Sequence, residues 1–206
     1  MTASWDKYAA GADTWSDEAY ADSTTYLARR ADVFRSLGPA LRPGDAVVDL
    51  ACGDGGFGDF LPEYRYLGVD ASAEMVASAQ AQRRNVVQGN LNDYEPPEPV
   101  SATSCFRAIY YADDREAFFR RAADYTEKKL VFDLNPRQYR VDEVRGQLRA
   151  AGFEQLELRP FFSPQRVSLP GPAARALHAL ERSGPLARLA LRFRFSYLCA
   201  AFRGGR

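Results

Sequence analysis

An apolar run that ends on an acid and passes directly into glycines most constrains what this chain can fold into. Residues 47–56 read VVDLACGDGG, a pattern that predicts a buried strand followed by a tight turn. Glycines let a ligand approach the backbone closely because they carry no side chain. A second short strand, YLGVD at residues 66–70, also ends on an acid, Asp70. An acid about 20 residues downstream of such a turn is where a βαβ nucleotide site places its ribose ligand, so the pattern predicts an adenosine-containing cofactor.

Two kinds of cofactor compete for this turn. Gly53, Gly55 and Gly58 satisfy the spacing G-x-G-x-x-G, which is also found in dinucleotide sites. A dinucleotide would place a pyrophosphate on the turn, where backbone amides favour anions. Asp49 and Asp54 put negative charge at that place, which opposes a pyrophosphate and favours a ligand with an ammonium and a sulfonium group. S-adenosylmethionine is such a ligand, and a nicotinamide oxidoreductase is kept as an alternative.

The run VVDLACGDGG, then YLGVD, then VVQGN, resembles the class I S-adenosylmethionine-dependent methyltransferases over residues 23–202. The first motif of that family is usually an acid, an apolar residue, Gly, Cys, Gly, any residue and Gly, and Ala51 replaces its first glycine here. The resemblance implies a doubly wound, Rossmann-like α/β fold with helices on both faces of a seven-stranded sheet. The sheet would be mostly parallel with an antiparallel last strand. S-adenosyl-L-methionine is the implied cofactor and S-adenosyl-L-homocysteine the implied product.

Length and composition restrict the organisation of the chain. With 206 residues, we expect residues 1–206 to form a single domain. Residues 1–38 would be an N-terminal cover and helix, and residues 163–191 a helical insert between the last two strands. The 27 basic and 27 acidic residues cancel, which disfavours nucleic acid as a partner. We find no apolar leader or membrane-length stretch, so cytoplasmic residence is expected. The three cysteines make no metal or disulfide pattern.

Capping residues predict where three helices begin. Thr24 or Thr25 is predicted to cap the first helix, and Ser72 a helix after the second strand. Asp113 and Glu116 form a predicted capping box for a later helix. The last strand is predicted near residues 193–202, with Phe193 and Phe195 on the same face as Tyr197 and Cys199.

Ligands of doubly wound sheets bind beyond the carboxyl ends of the strands. The resemblance implies that Asp70 accepts hydrogen bonds from the ribose hydroxyls and that Asp49 neutralises the methionine ammonium. Asn90 falls where the family usually has an adenine-binding aspartate, and Asp93 is a nearby substitute. The predicted cofactor-binding residues are Tyr8, Tyr20, Arg29, Asp49, Ala51, Cys52, Gly53, Asp70, Ala71, Asn90, Leu91 and Cys105.

The N-terminal segment resembles the cover that the family places over its cofactor. Tyr8 and Tyr20 are candidates to bond the methionine carboxylate, and Arg29 or Arg30 to pair with it. The alternative is that these aromatic side chains only pack the first helix onto the sheet. For Arg107, the alternatives are binding of an acidic substrate group and a surface ion pair.

Methyl transfer needs a nucleophile held in line with the sulfonium and shielded from water. The exit of the fourth strand faces that place. We predict catalytic roles for Tyr110, Tyr111 and His178, and substrate-binding roles for Phe106, Arg107 and Asn135. His178 has an alternative role as a partly exposed residue of an amphipathic helix.

The leading function is a methyltransferase acting on a small-molecule substrate. The alternatives are a protein that binds the same cofactor for non-methyl-transfer chemistry or regulation, and a nucleic-acid methyltransferase. Residues 175–206 contain seven arginines and one acid, so the insert is interpreted first as a substrate lid and second as a membrane contact. The sequence leaves a homodimer open and gives no argument for a metal.

Overall fold

The computed structural model describes residues 16, 19–164, 166–181, 183–191 and 196–204. In chain order the helices and strands are α1 (Ser23–Ser36), β1 (Ala46–Leu50), β2 (Arg65–Asp70), α2 (Ala73–Ala81), β3 (Val86–Gln88), β4 (Val100–Cys105), α3 (Arg115–Tyr125), β5 (Thr126–Leu134), α4 (Val141–Ala150), β6 (Gln155–Phe161), α5 (Gly171–Glu181), α6 (Pro185–Ala190) and β7 (Ser196–Phe202). Short 3-10 helices span Gly56–Phe60 and Ile109–Tyr111.

The strands form one seven-stranded sheet in the order β3-β2-β1-β4-β5-β7-β6. Strands β1 to β5 pair in parallel, whereas β7 lies between β5 and β6 and runs antiparallel to both. The strand order reverses next to β1, because the chain leaves β3 at one edge and returns to the centre as β4. The predicted Rossmann-like sheet with an antiparallel last strand is confirmed.

Alternate side chains of the central strands enter two cores on opposite faces of the sheet. Val48 and Leu50 of β1 belong to the core that α3 and α4 cover. Val47 belongs to the core that α1 covers, together with Phe34. Because side chains of a strand point alternately to its two faces, this division shows that helices pack on both faces.

Two helices are capped by residues one to three positions away from the predicted caps. The first helix is capped by Asp22, whose carboxylate accepts from the N–H of Thr25 at 2.9 Å. The later helix is capped by Asp114 rather than Asp113, because the Asp114 carboxylate accepts from two N–H groups of the first turn. The Ser72 cap is confirmed by its hydrogen bond from the N–H of Met75.

The insert between β6 and β7 contains α5 and α6. Phe162, Ala187 and Leu191 form a small buried core beneath them. Phe193 and Phe195, predicted for the last strand, lie outside the described residues. Within the described ranges, no helix has both the length and the apolar character that crossing a membrane requires.

Candidate functional site

A cavity of about 380 Å³ opens at the carboxyl ends of β1, β2 and β4, beside the point where the strand order reverses. This is where doubly wound sheets bind ligands. We call it the first cavity. The predicted site residues that line it are Tyr20, Asp49, Ala51, Cys52, Gly53, Asp70, Ala71, Asn90, Leu91, Phe106, Arg107, Tyr110 and Tyr111.

The turn after β1 has left-handed backbone at two positions that line the first cavity. Gly53 has φ 60°, and Ala51 has φ 56°. The glycine accepts this conformation without strain, whereas alanine does not. Gly68 of β2 lies against the turn, because a Cβ there would come 2.6 Å from Sγ of Cys52. The turn is therefore packed tightly onto β2, which brings the backbone of residues 51–53 to the cavity.

Asp70 closes β2 and is fixed by two backbone groups. The N–H of Gly53 donates to its Oδ2 at 2.7 Å, and the N–H of Ser72 donates to its Oδ1 at 3.0 Å. Burial raises the pKa of Asp70, while these hydrogen bonds oppose that increase. Each carboxylate oxygen keeps a further lone pair, so Asp70 can accept hydrogen bonds from a diol.

Asp49 is only 3% exposed, yet it lines the first cavity. Its carboxylate accepts from the hydroxyl of Ser104 at 2.6 Å and from that of Tyr66 at 2.8 Å. Burial raises the pKa of Asp49 to about 6, while these two hydrogen bonds and the charge of Arg30 act in the opposite direction. At neutral pH the site therefore presents a buried anion that suits a cation.

Asp54 does not add to that negative charge in the way that the sequence predicts. Its carboxylate lies 3.1 Å from the guanidinium of Arg84 and accepts from Ser16 Oγ at 2.7 Å. Arg84 also pairs with Asp59, so it compensates only part of the charge of Asp54. The argument against a pyrophosphate therefore depends mainly on Asp49 and Asp70.

Arg30, not Arg29, lies at the first cavity. Arg30 is 3% exposed, and its guanidinium lies 4.5 Å from the ring centroid of Phe106. It donates to the hydroxyl of Tyr26 at 2.7 Å, but its Nε has no hydrogen-bond partner among the described residues. Arg29 instead pairs with Glu181 of α5. Arg30 lines the first cavity and carries a positive charge there, so it is placed to bind an anionic ligand.

A second cavity of about 660 Å³ adjoins the first. Arg30, Arg107, Tyr110 and Arg166 line both cavities. Asn135, predicted to bind substrate, lines the second one. No motif in the sequence identifies Arg166, which lies in the insert and reaches the site only through the fold.

A family profile described as "Methyltransferase domain" matches residues 47–129, the segment that carries Asp49, the turn and Asp70. Residues 47–129 thus match a methyltransferase domain, and the chain is similar to the class I S-adenosylmethionine-dependent methyltransferases. Over 96 residues, the chain is 38% identical to a trans-aconitate 2-methyltransferase of Azoarcus sp. (strain BH72). That match covers 42% of the chain and 36% of the relative's length.

Two solved structures share the fold of the chain. One is a Thermotoga maritima protein named as a possible histamine N-methyltransferase, with TM-score 0.63, 14% identity and coverage of 97% and 99% of the two chains. The other is an S-adenosylmethionine-dependent methyltransferase of Clostridium acetobutylicum, with TM-score 0.62, 13% identity and coverage of 98% and 99%. At these identities the likeness shows the architecture alone.

The donors and acceptors of the first cavity fit S-adenosylmethionine. Asp49 and Asp70 offer carboxylate oxygens to an ammonium and to ribose hydroxyls, and Arg30 offers a positive charge to a carboxylate. Leu91 is buried at the same cavity and can pack on a base. The amide oxygen of Asn90 already accepts from the N–H of Asn92 at 2.9 Å, so its Nδ2 is the group left to face adenine.

Several of the predicted site residues lie away from the two cavities. Cys105 is fully buried in the sheet core. His178 lies on α5 and is not among the described residues that line either cavity. Asp93 is exposed and is likewise not a lining residue. Tyr8 lies outside the described residues.

Proposed function

We propose that this chain binds S-adenosylmethionine in the first cavity and transfers its methyl group to a small molecule held in the second. The observation that carries the proposal is the arrangement at the carboxyl ends of β1 and β2. There Asp49, the turn with Gly53, and Asp70 line one cavity together with the buried Arg30. The side chains of Arg107 and Tyr110 are common to both cavities, so a ligand in one lies next to a ligand in the other.

Four groups of this chain would hold the cofactor. Asp70 would accept from the ribose hydroxyls, and its orientation is fixed in advance by the N–H of Gly53. Asp49 would pair with the ammonium group. Arg30 would pair with the carboxylate, assisted by Tyr20, whose ring stacks on that of Tyr26 at 4.3 Å between centroids.

S-adenosylmethionine supplies a methyl group on a sulfonium, which is displaced in line by a nucleophile. The residues of this chain would contribute positioning and exclusion of water. Phe106 is 8% exposed and packs edge-on against Phe57 at 5.1 Å between ring centroids. Tyr110 and Tyr111 lie with their ring centroids 4.4 Å apart at the same opening. We infer that these aromatic side chains shape the passage between the cavities, and that this is the catalytic contribution of Tyr110 and Tyr111.

The size of the second cavity supports a small-molecule acceptor, because ligand pockets for molecules of that class occupy about 300–1,000 Å³. The Azoarcus relative is named for a small organic acid, trans-aconitate. The insert helices α5 and α6 are proposed to act as part of a substrate lid, since Arg166 from the same insert lines both cavities.

The test is a calorimetric titration of the protein with S-adenosylmethionine, S-adenosylhomocysteine and NAD. We expect one-to-one binding of the first two ligands and at least about tenfold weaker binding after Asp70→Ala, since charge-assisted hydrogen bonds contribute about 1.5–3 kcal/mol. Asp142→Ala is the matched control, because Asp142 is an exposed acid of α4 that lines neither cavity. Binding of NAD alone, or equal losses in the two variants, would contradict the cofactor assignment.

Transfer itself is tested by following S-adenosylhomocysteine formation with a panel of small-molecule acceptors. Formation of this product together with a methylated acceptor supports the proposal. Tight cofactor binding without transfer to any acceptor would favour the alternative, a protein that uses the cofactor for other chemistry or for regulation.

A further inference from the structure

The second cavity has a surplus of positive charge. Arg107 and Arg166 line it in addition to Arg30. Asp133 is the one carboxylate among its described lining residues, and its Oδ1 accepts a hydrogen bond from the backbone N–H of Arg107 at 2.5 Å. Because Arg30 is assigned to the carboxylate of the cofactor, the guanidinium groups of Arg107 and Arg166 remain in the second cavity. Among its described lining residues, only the carboxylate of Asp133 balances their charge. A cavity with this balance favours an anionic ligand.

Arg107 is held in place rather than mobile on the surface. Its backbone has φ 56°, a conformation that non-glycine residues adopt only when their surroundings fix it. The bond from its N–H to Asp133 is part of that fixation. Its guanidinium lies 5.7 Å from the ring centroid of Tyr20. The fixed backbone thereby places the side chain of Arg107 at the wall of the cavity.

The arginines also determine where the anion would lie. Arg107 and Arg166 line both cavities, so they are at the junction between the proposed cofactor and acceptor sites. A guanidinium pairs with a carboxylate through two parallel hydrogen bonds. A carboxylate held by these side chains would therefore be the part of the acceptor nearest to the methyl group that is transferred.

We propose that the acceptor is a small organic acid and that the methyl group is transferred to an oxygen of its carboxylate. The proposal rests on the methyl-transfer function above and names its substrate class. A lone pair of the carboxylate oxygen forms the new O–CH3 bond, and the electron pair of the breaking S–CH3 bond stays on sulfur. The carboxylate and the sulfonium each lose their charge, and the products are a methyl ester and a thioether. The carboxylate is already deprotonated at neutral pH, so no proton moves.

The experiment measures acceptor binding to protein saturated with S-adenosylhomocysteine. The probes are citrate and trans-aconitate as carboxylates, glycerol phosphate as a phosphomonoester and histamine as an amine. We expect the carboxylates to bind, with affinity reduced about tenfold or more by Arg107→Gln. Arg120→Gln, which changes an exposed arginine of α3, is the matched control and should leave that affinity unchanged. Titration of S-adenosylhomocysteine into each variant verifies that the cofactor site is intact.

The chemistry of the product gives a second readout. With labelled S-adenosylmethionine and the bound acid, the transferred label should be released as methanol by mild alkali, because esters hydrolyse under these conditions whereas N-methyl and ether products do not. Cofactor binding with selective binding of the amine or the phosphomonoester, or with an alkali-stable product, would overturn this inference and leave the methyl-transfer function standing. Failure to bind S-adenosylhomocysteine would overturn both.

Discussion

The guanidinium of Arg29 lies 2.5 Å from the carboxylate of Glu181, and this ion pair joins the first helix of the chain to the insert between β6 and β7. Glu181 is 7% exposed and also accepts from the N–H of Phe162 at 2.8 Å. One buried carboxylate therefore ties α1, α5 and the segment after β6 together. The structural role of Arg29 explains why the neighbouring Arg30 is the arginine that lies at the first cavity.

Replacement of Glu181 by alanine should destabilise the protein by about 3–5 kcal/mol, because the partners of a buried ion pair are left uncompensated. Urea unfolding measures the loss. Hydrogen exchange should show faster exchange in α5 and α6. The control is Asp142→Ala in α4, which removes an exposed pair with Arg145 and should change the stability by less than about 0.5 kcal/mol. Equal effects of the two substitutions would contradict the role assigned to Glu181.

Cofactor affinity should depend on pH through Asp49. Its pKa is raised by burial to about 6, and only the ionised form pairs with an ammonium group. Binding should therefore weaken as the pH falls below about 6 and be constant at neutral pH. The raised pKa of Asp49 affects folding stability in the opposite direction. The folded state of the free protein binds the proton more tightly than the unfolded state does. The contribution of Asp49 to the free energy of unfolding is therefore lost as the pH rises from about 4 to 6. Calorimetry of S-adenosylhomocysteine binding between pH 5 and 8 measures the first effect.

Tyr66→Phe should move the midpoint of the pH dependence of cofactor binding to higher pH. The hydroxyl of Tyr66 donates to Asp49 and stabilises the ionised carboxylate, so its removal raises the pKa of Asp49 further. At pH 8 the variant should bind nearly as well as the parent, while at pH 6 it should bind more weakly. An unchanged midpoint would show that Asp49 is not the group that titrates, and Asp49→Asn should abolish the pH dependence.

Ala51→Gly should stabilise the protein by about 0.5–1 kcal/mol. Ala51 has φ 56°, where alanine is strained and glycine is not, and this gain exceeds the entropy that glycine loses on folding. Urea unfolding provides the measurement. Arg83 has φ 60° on an exposed turn, so Arg83→Gly tests the same effect away from the site. Destabilisation by Ala51→Gly would mean that the methyl group of Ala51 makes contacts that outweigh the strain.

Lys129→Met should cost about 2–3 kcal/mol. Lys129 is buried, and its ammonium donates to the carbonyls of Phe34 at 2.7 Å and Leu37 at 2.8 Å. These carbonyls lie at the end of α1, where a cation is favourable and an unsatisfied acceptor is costly. The neighbouring Lys128 pairs with Asp45 at a half-buried position, so Lys128→Met is the control and should cost less than about 1 kcal/mol. Denaturant unfolding of both variants measures the two losses in the free energy of unfolding.

The order of strands and helices was enough to predict a parallel sheet, whereas the antiparallel last strand was predicted from the resemblance to the methyltransferase family. These signals are local: the pattern of residues 47–56 fixes a strand and a turn from neighbours within ten positions. The exact caps of α1 and α3 were wrong by one to three residues, because several acids and hydroxyls of adjacent positions compete for the same N–H groups and the packing of the helix selects one.

Only the tertiary structure decided which charged side chains reach the site. The sequence places the negative charge of Asp54 at the turn, yet Arg84, thirty positions away, pairs with it and with Asp59. Arg29 and Arg30 are indistinguishable in sequence, and the choice between them depends on Glu181, which is 152 positions from Arg29. Arg166 reaches both cavities from the insert. Hydrophobic periodicity and turn conformation depend on residues that are neighbours in the chain, so they can be predicted from the sequence. Ion pairs and cavity walls join residues that become neighbours only when the sheet has formed.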